Sequence, residues 1–354
     1  GSRDPGSPWA IGDKSGGHKA VNPELGTIED FKRLVKAAKG HGLELALAVA
    51  LQCSPDHPWL REHPEWFLPS AGGAYRIDLR HAAARQYQRA EIARLIDTYG
   101  VNYFKFDFNQ ELGVDQSGRE LEDYFSHWFA ILDDLRAAYP GTFFENCSSG
   151  AMRADLASLP HYDGHFVSDN ANPADVLRIS QGALLRMLPG RLMRFAVMKG
   201  LPRQESGSIP MPTVVTPQAA TWAVYEAVGL DFLMGSSFAG MLVLSGDIAS
   251  LTDAERLRIG WYVELNKKYR ADIVTAAGHL LTPVKPVGQR DGWIAFQFCS
   301  RRRKLSLVCA FHQPNDGQAV TRLPLFEMEE NATYTISRVN PDGVVSSQAG
   351  GGEL

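Results

Sequence analysis

Apolar positions recur every three to four residues over 27–41 (Ile28, Phe31, Leu34, Val35, Ala38), which predicts a helix with Thr27 as N-cap and Asp30 in its first turn. The continuous apolar run 43–51 follows and reads as a strand buried on both faces. A second helical period covers 83–99. It leads into Val-Asn-Tyr-Phe-Lys-Phe-Asp-Phe-Asn at 101–109, aromatic and strand-like. A helix over 119–139 ends before Pro140, and Gly-Thr-Phe-Phe-Glu-Asn at 141–146 makes the next strand. Further strands are expected at 164–168, 193–198 and 231–235, with helices over 173–187, 216–228 and 252–271. Strands alternating with helices at this spacing imply βαβ units and a parallel sheet. After about residue 275 the pattern shortens into alternating runs at 293–298, 305–311 and 333–339, set between Gly, Asn, Asp and Pro, as in an antiparallel β domain.

The resulting fold class is α/β: a (β/α)8 TIM-type barrel with a C-terminal antiparallel β-sandwich domain. Only six barrel strands are found before residue 240, so of the eight either two lie upstream of this sequence or two go unrecognised within it. An open sheet edge of that kind favours pairing of copies into a homo-oligomer. The length of 354 residues exceeds what one compact core usually serves.

Composition adds restraint rather than direction. The net charge is −4, and the dense basic run Arg-Arg-Arg-Lys at 301–304 sits between two strand-like runs, where a solvated turn is expected. Nothing in the charge pattern calls for nucleic acid or an anionic membrane. Cys53, Cys147, Cys299 and Cys309 form no Cys-x-x-Cys pair and no Cys/His cluster of zinc-ligand spacing, so no metal is expected. Unpaired thiols, no apolar leader and no apolar run of membrane-spanning length together imply a soluble, cytoplasmic chain.

Polar residues gather where strands end, the place where barrel enzymes keep their chemistry. In Lys105-Phe-Asp107-Phe-Asn109 the i, i+2 spacing puts Lys105 and Asp107 on one side of the strand. The ammonium would help keep Asp107 ionised as a nucleophile and bind sugar hydroxyls; a structural ion pair closing the barrel is the competing reading. Ser168-Asp169-Asn170 offers a second carboxylate two βα units later. It reads either as the acid/base partner that a retaining glycosidase needs, or as a cap for the helix beginning at Pro173. Glu145-Asn-Cys147-Ser-Ser-Gly150 ends the strand between them, and its small polar residues suit close approach of a substrate; Cys147 has no adjacent base and reads as a packed thiol. Arg153 and Asp155 orient neighbours or pair with each other. Trp59 and Trp66 are sugar platforms or lid packing, and His57 and His63 lack companion metal ligands.

From about residue 72 onward these motifs resemble the melibiase-type α-galactosidases of glycoside hydrolase family 36. The resemblance rests on Tyr-Phe-Lys-Phe-Asp-Phe-Asn (103–109), Phe-Glu-Asn-Cys-Ser-Ser-Gly (144–150) with Arg153 and Asp155, Ser-Asp-Asn (168–170) and Ser-Gly-Asp-Ile-Ala-Ser-Leu-Thr (245–252). It implies a retaining mechanism without cofactor, with Asp107 as nucleophile and Asp169 as acid/base. It also implies that Lys105, Asn109, Cys147 and Gly150 line the sugar subsite. The substrate class is an oligosaccharide or simple α-glycoside.

The stretch 1–67 is similar instead to the α-amylase-superfamily maltosyltransferases that extend α-glucan from maltose 1-phosphate. That similarity rests on Asp-Pro-Gly-Ser-Pro-Trp-Ala-Ile-Gly (4–12), Gly-Gly-His (16–18), Pro-Glu-Leu-Gly-Thr (23–27) and Ala-Leu-Gln-Cys-Ser-Pro-Asp-His-Pro-Trp (50–59). The expected organisation is a maltosyltransferase-like segment 1–71, a melibiase-like barrel 72–274 and a β domain 275–354, a chimera of two barrels. Departures accompany both resemblances. The paired-Asp motif and an Arg near Gly72 and Gly73 are absent on the melibiase side, and the acid/base stretch reads Ser-Asp-Asn-Ala-Asn. On the amylase side Lys105 stands where Arg is expected. Two alternatives stay open: maltosyl transfer with Glu145 as acid/base, and an inactive or merely sugar-binding scaffold.

Overall fold

The computed structural model describes residues 21, 25–49, 52–53, 55–70, 75–108, 115–148, 150–170, 172–198, 228–238, 240–246, 248–314, 320–329, 332–339 and 345–350. The chain divides into two compact units, the first running to residue 166 and the second from residue 167.

The first unit opens with α1 (Ile28–Gly40). Thr27 caps it in a capping box: the Thr27 hydroxyl accepts from the Asp30 amide, and the Asp30 carboxylate accepts from the Thr27 amide at 2.8 Å. Strand β1 (Ala46–Val49) follows. A small antiparallel sheet comes next, built of β2 (Gln52–Cys53), β3 (Phe67–Pro69) and β4 (Tyr75–Ile77), with α2 (Pro58–Glu62) between its first two strands. Then come α3 (Ala82–Tyr99), β5 (Tyr103–Asp107), α4 (Arg119–Ala138), β6 (Phe143–Cys147) and β7 (Gly164–Phe166). The strands β1, β5, β6 and β7 lie side by side and parallel, in sequence order. Parallel neighbours joined by helices are what the alternating pattern predicts.

The core of this unit lies between that sheet and its helices. Phe104, Phe106 and Phe144 are fully buried with Ile92, Leu95, Trp128, Leu132 and Leu135 from α3 and α4. Each such side chain stabilises the fold by about 1.5–3 kcal/mol through burial. Strand β1 corrects an expectation. It alternates, with Leu47 and Val49 buried and Ala46 exposed, because it is the outermost of the four strands rather than a strand covered on both faces.

The second unit carries α5 (Pro173–Leu184), β8 (Leu192–Met198), α6 (Leu230–Phe238), β9 (Met241–Gly246) and α7 (Asp253–Val274). The strands β8 and β9 pair in parallel. The stretch 231–235, expected as a strand, is instead part of helix α6, and the strand itself begins only at Met241. Helix α6 is buried nearly all round: Leu233, Met234, Ser236, Ser237 and Phe238 are all enclosed, so no amphipathic period marks it. The helix expected over 216–228 lies outside the described residues as far as 227. An antiparallel sheet of β10 (Ala277–Leu280), β11 (Asp291–Ser300) and β12 (Leu305–Pro314) follows, then the hairpin β13 (Tyr334–Val339) and β14 (Val345–Gly350). The basic run 301–304 is the exposed turn joining β11 to β12, as its composition implies, and Arg303 there pairs with Asp272 of α7. Among the described residues no helix is long and apolar enough to cross a membrane.

A buried bond helps tie α4 to the segment leading into β7: the Trp128 indole donates to the Tyr162 hydroxyl at 2.7 Å. Tyr162→Phe removes the acceptor and leaves the indole N–H dry. It should cost about 1–3 kcal/mol in denaturant unfolding, at unchanged m-value, far more than loss of one exposed hydroxyl would.

Candidate active site

Strand β5 alternates strictly. Phe104 and Phe106 point into the helix-side core, while Tyr103, Lys105 and Asp107 share the opposite face at partial exposure. Strand β6 pairs in register with it, Tyr103 beside Phe143, Lys105 beside Glu145, and Asp107 beside Cys147. This register stacks three layers of side chains. Tyr103 and Phe143 stack ring on ring at 4.8 Å. Above them Lys105 Nζ lies 3.1 Å from Glu145 Oε1, and the Tyr103 hydroxyl donates to Glu145 Oε2 at 2.6 Å. Asp107 and Cys147 occupy the C-terminal layer, where the strands give way to loops.

The charges in this cluster favour one another. Burial alone pulls Lys105 toward the neutral amine. The influence of Cys147, Glu145 and Asp107 outweighs that and pushes its pKa up to about 12, so the side chain is an ammonium. The Phe166 ring lies under it, 4.3 Å from Nζ. Burial, helped by Glu145, raises the Tyr103 hydroxyl well above its usual range and keeps it a donor. A second cation stands close by. The Arg153 guanidinium lies over the Phe108 ring at 4.5 Å, and burial lowers its pKa against the opposing charges of Tyr124, Tyr162 and Asp107. Asp107 is thus flanked by two cations, and its Oδ1 is buried with no hydrogen-bond partner among the described residues. A carboxylate oxygen left without a donor inside a cationic setting is what an attacking nucleophile needs.

The turn after β6 is built to hold this layer. Phe108 donates its amide to the Cys147 carbonyl at 3.0 Å, and the Ser148 hydroxyl returns a bond to the Phe108 carbonyl at 2.7 Å. Gly150 takes φ +87°, a left-handed conformation that favours glycine, and its carbonyl accepts from the Ser148 amide at 2.9 Å. The buried Asn146 amide donates to the Arg153 carbonyl at 3.1 Å and so fixes the loop that carries the guanidinium.

The structure brings together part of the set expected from sequence. Lys105, Asp107, Cys147, Gly150 and Arg153 all meet in the first unit. Asn109 lies outside the described residues. Trp59 is 5% exposed, with edge contacts to Tyr87 at 4.5 Å and His57 at 4.8 Å, so it packs the core and offers no open ring face to a sugar. Arg76, close to where the melibiase pattern expects an Arg, is buried and ion-paired with Glu120 of α4. Asp169 belongs to the second unit. The reading of it as a helix cap fails there, because Asn172 caps α5, accepting from the Ala174 amide at 3.1 Å. Its loop is braced from both sides: the Asn170 amide donates to the Ser168 hydroxyl at 3.0 Å, Asn170 Oδ1 accepts from the Asn172 amide at 2.9 Å, and Asn170 Nδ2 donates to Asp175 at 3.0 Å. Half-buried Asp169 is thereby presented by a rigid turn. Glu145 is the residue that sequence reasoning undervalued for this cluster. It meets Lys105 through the β5–β6 register, across the whole of α4 in the chain, and no local pattern carries that pairing.

The melibiase family model matches residues 12–204, a span that begins upstream of the motifs at 103–170 and contains them all. The chain is similar in fold to the galactosidase domain of an α-galactosidase-sucrose kinase, with a TM-score of 0.75 at 18% identity over 99% of this chain and 45% of that one. It is also similar to an α-galactosidase of glycoside hydrolase family 36 from Geobacillus stearothermophilus, solved in complex with raffinose, with a TM-score of 0.75 at 19% identity over 100% of this chain and 46% of that one. These likenesses give the fold class, the TIM-barrel type expected from the alternating strands and helices. Among curated proteins, the chain is 63% identical over 73 residues to the α-1,4-glucan:maltose-1-phosphate maltosyltransferase of Pseudomonas aeruginosa, covering 21% of this chain and 11% of that protein. The chain therefore matches about a tenth of the length of that relative and spans under half of the two solved chains.

The Lys105 ion pair sets a pH dependence. Its folded pKa lies above the unfolded value of 10.5, so its contribution is complete below pH 10.5 and is lost as pH rises toward about 12. The stability difference between the parent and Lys105→Met should hold constant through neutral pH and shrink over that alkaline window, as followed by denaturant unfolding.

Proposed function

We propose that this chain, which belongs to the melibiase family, is a retaining exo-acting α-glycosidase that hydrolyses terminal α-galactosides. The observation that carries the proposal is the setting of Asp107: a buried carboxylate oxygen at the end of β5 with no donor among the described residues, whose charge acts on both the Lys105 ammonium and the Arg153 guanidinium.

In this reading Asp107 attacks the anomeric carbon on the face opposite the leaving group and forms a glycosyl ester. Asp169 protonates the glycosidic oxygen and, in the second half, takes a proton from the water that hydrolyses the ester. Lys105 binds ring hydroxyls with the ammonium protons not directed at Glu145. Cys147 and Gly150 shape the floor of the same subsite, with Asn109 as a further hydrogen-bonding residue. Retention requires the carboxyl groups of Asp107 and Asp169 to come about 5–5.5 Å apart with substrate bound. No cofactor takes part. The proposal includes the partition of the chain at 71/72 and 274/275, a cytoplasmic location, and the pairing of copies through the outer edge of β1. The raffinose bound by the Geobacillus enzyme makes α-galactosyl oligosaccharides the natural first substrates to try.

The identity to a maltosyltransferase over 73 residues favours one second reading, α-glucan maltosyl transfer with Glu145 as acid/base. The geometry weighs against it. Both Glu145 oxygens already accept, one from the Lys105 ammonium and one from Tyr103, and that adjacent positive charge favours the ionised carboxylate over a proton donor.

Release of the aryl group from an aryl α-galactoside is expected from the parent. Asp107→Gly should abolish it, and added azide should restore part of it as the azide adduct of inverted configuration. A folded, wholly inactive parent, or an Asp107→Gly variant with undiminished rate, would sink the nucleophile assignment. The two readings separate on a second pair of variants. Asp169→Asn should lower kcat/KM by about 10²-fold or more while Glu145→Gln acts more mildly and mainly through KM, because the first removes a proton donor and the second only loosens Lys105. The reverse order would favour maltosyl transfer.

A further inference from the structure

The C-terminal part of the second unit holds a second cluster of chemically active side chains, drawn from three places in the chain. In the β10–β11 register Ala277 faces Cys299 and His279 faces Gln297, so His279 and Cys299 are diagonal neighbours on one face of the sheet. Gln297, buried on that same face, clamps the segment that crosses it. Its Oε1 accepts from the Phe326 amide at 2.8 Å, and its Nε2 donates to the Phe326 carbonyl at 3.0 Å. The next residue, Glu327, has φ +57°, the one non-glycine with positive φ among the described residues. From that position Glu327 Oε1 reaches to 2.9 Å from His279 Nε2, while the Phe326 ring stacks on the imidazole at 4.8 Å. Cys299 Sγ lies 3.4 Å from the Ser306 hydroxyl and 3.9 Å from the Phe326 carbonyl. The donor atoms of His279, Cys299 and Glu327 all lie within 4.8 Å of one another.

This donor set has a specific chemistry. One imidazole nitrogen, one sulfur and one carboxylate oxygen are the three ligand types that zinc accepts in four-coordinate sites. Among the described residues His279 and Glu327 hydrogen-bond only to each other, so no competing partner holds either away from an ion. The imidazole is fixed by stacking, the thiol is on a strand, and the carboxylate is on a segment clamped by Gln297. Bond lengths of about 2.0–2.3 Å place tetrahedral zinc ligands about 3.4–3.6 Å apart. The donor atoms already stand within 4.8 Å of one another, and the exposed Glu327 side chain is the one with freedom to adjust toward that spacing.

We infer that His279 Nε2, Cys299 Sγ and Glu327 Oε1 bind one zinc ion, leaving a fourth position for water or another oxygen donor. Binding replaces the His279–Glu327 hydrogen bond with two metal bonds. It also exchanges the Cys299 proton, which leaves to solvent, for a zinc–thiolate bond. The ligands come from β10, from β11 and from the segment beyond β12, so no short spacing announces them. The metal-free expectation drawn from cysteine spacing did not reach them for that reason. The inference is independent of the glycosidase assignment, and its readouts do not involve catalysis.

The untagged full chain, stripped with a chelator and dialysed, is titrated with zinc chloride in competition with a chromophoric zinc indicator. One zinc per chain is expected, with a rise in melting temperature as the ion binds the folded state. Glu327→Gln, which changes an exposed side chain and leaves the fold intact, should weaken zinc at least ten-fold, and so should Cys299→Ser. Cobalt(II) in place of zinc should give a thiolate charge-transfer band that disappears in Cys299→Ser and survives in Cys53→Ser. Failure of the folded chain to take up stoichiometric zinc, or uptake unchanged in both Glu327→Gln and Cys299→Ser, would overturn the assignment.

Discussion

The in-register parallel pairing of β5 with β6 is the constraint from which the candidate site follows. Strand alternation has a period of two, so a slip of one residue would drive Lys105 and Asp107 into the helix-side core and turn Phe104 and Phe106 outward. The apolar face forbids that slip. Phe104, Phe106 and Phe144 are fully buried against α4, with Phe106 edge-on to Trp128 at 5.0 Å. Hydrophobic packing therefore decides where the charges stand. Within that frame the negative charge around Lys105 outweighs the cost of burying its ammonium, and Glu145, held in turn by Tyr103, fixes the ammonium in the layer next to Asp107.

Local pattern carried this part of the molecule well. The i, i+2 spacing of Lys105 and Asp107, the capping of α1 by Thr27, the turn at 301–304 and the antiparallel texture after 275 each rest on interactions between near neighbours in the chain, and each is present. Where the reading fell short, the deciding contact is remote. Helix α6 has no amphipathic stripe because neighbours enclose most of its surface, so its short apolar run could not be told from a strand. The exposure of Ala46 depends on β1 being outermost, a property of sheet order rather than of the run 43–51. Trp59 is a core side chain because Tyr87, on the separate helix α3, lies against it. Glu145 and the His279–Cys299–Glu327 cluster are likewise assembled by registers and crossings that no window of sequence contains.

Two kinds of similarity bear on the same chain at different scales, and the physical site weighs between them. The melibiase family model spans β5, the turn after β6 and the braced loop of Asp169, while identity to maltosyltransferases runs over 73 residues in one relative and 154 in another. High identity in one segment fixes that segment's packing; it does not supply a proton donor elsewhere. A general acid must carry a proton and give it up in a defined direction. Glu145 sits beneath Asp107 in the strand register, one layer back, with both oxygens engaged by neighbours whose own charge states depend on it. Asp169 lies half-buried on a loop braced by Asn170, which bonds Ser168, Asn172 and Asp175, and the helix that follows is capped by Asn172, so helix capping does not account for an aspartate at that position.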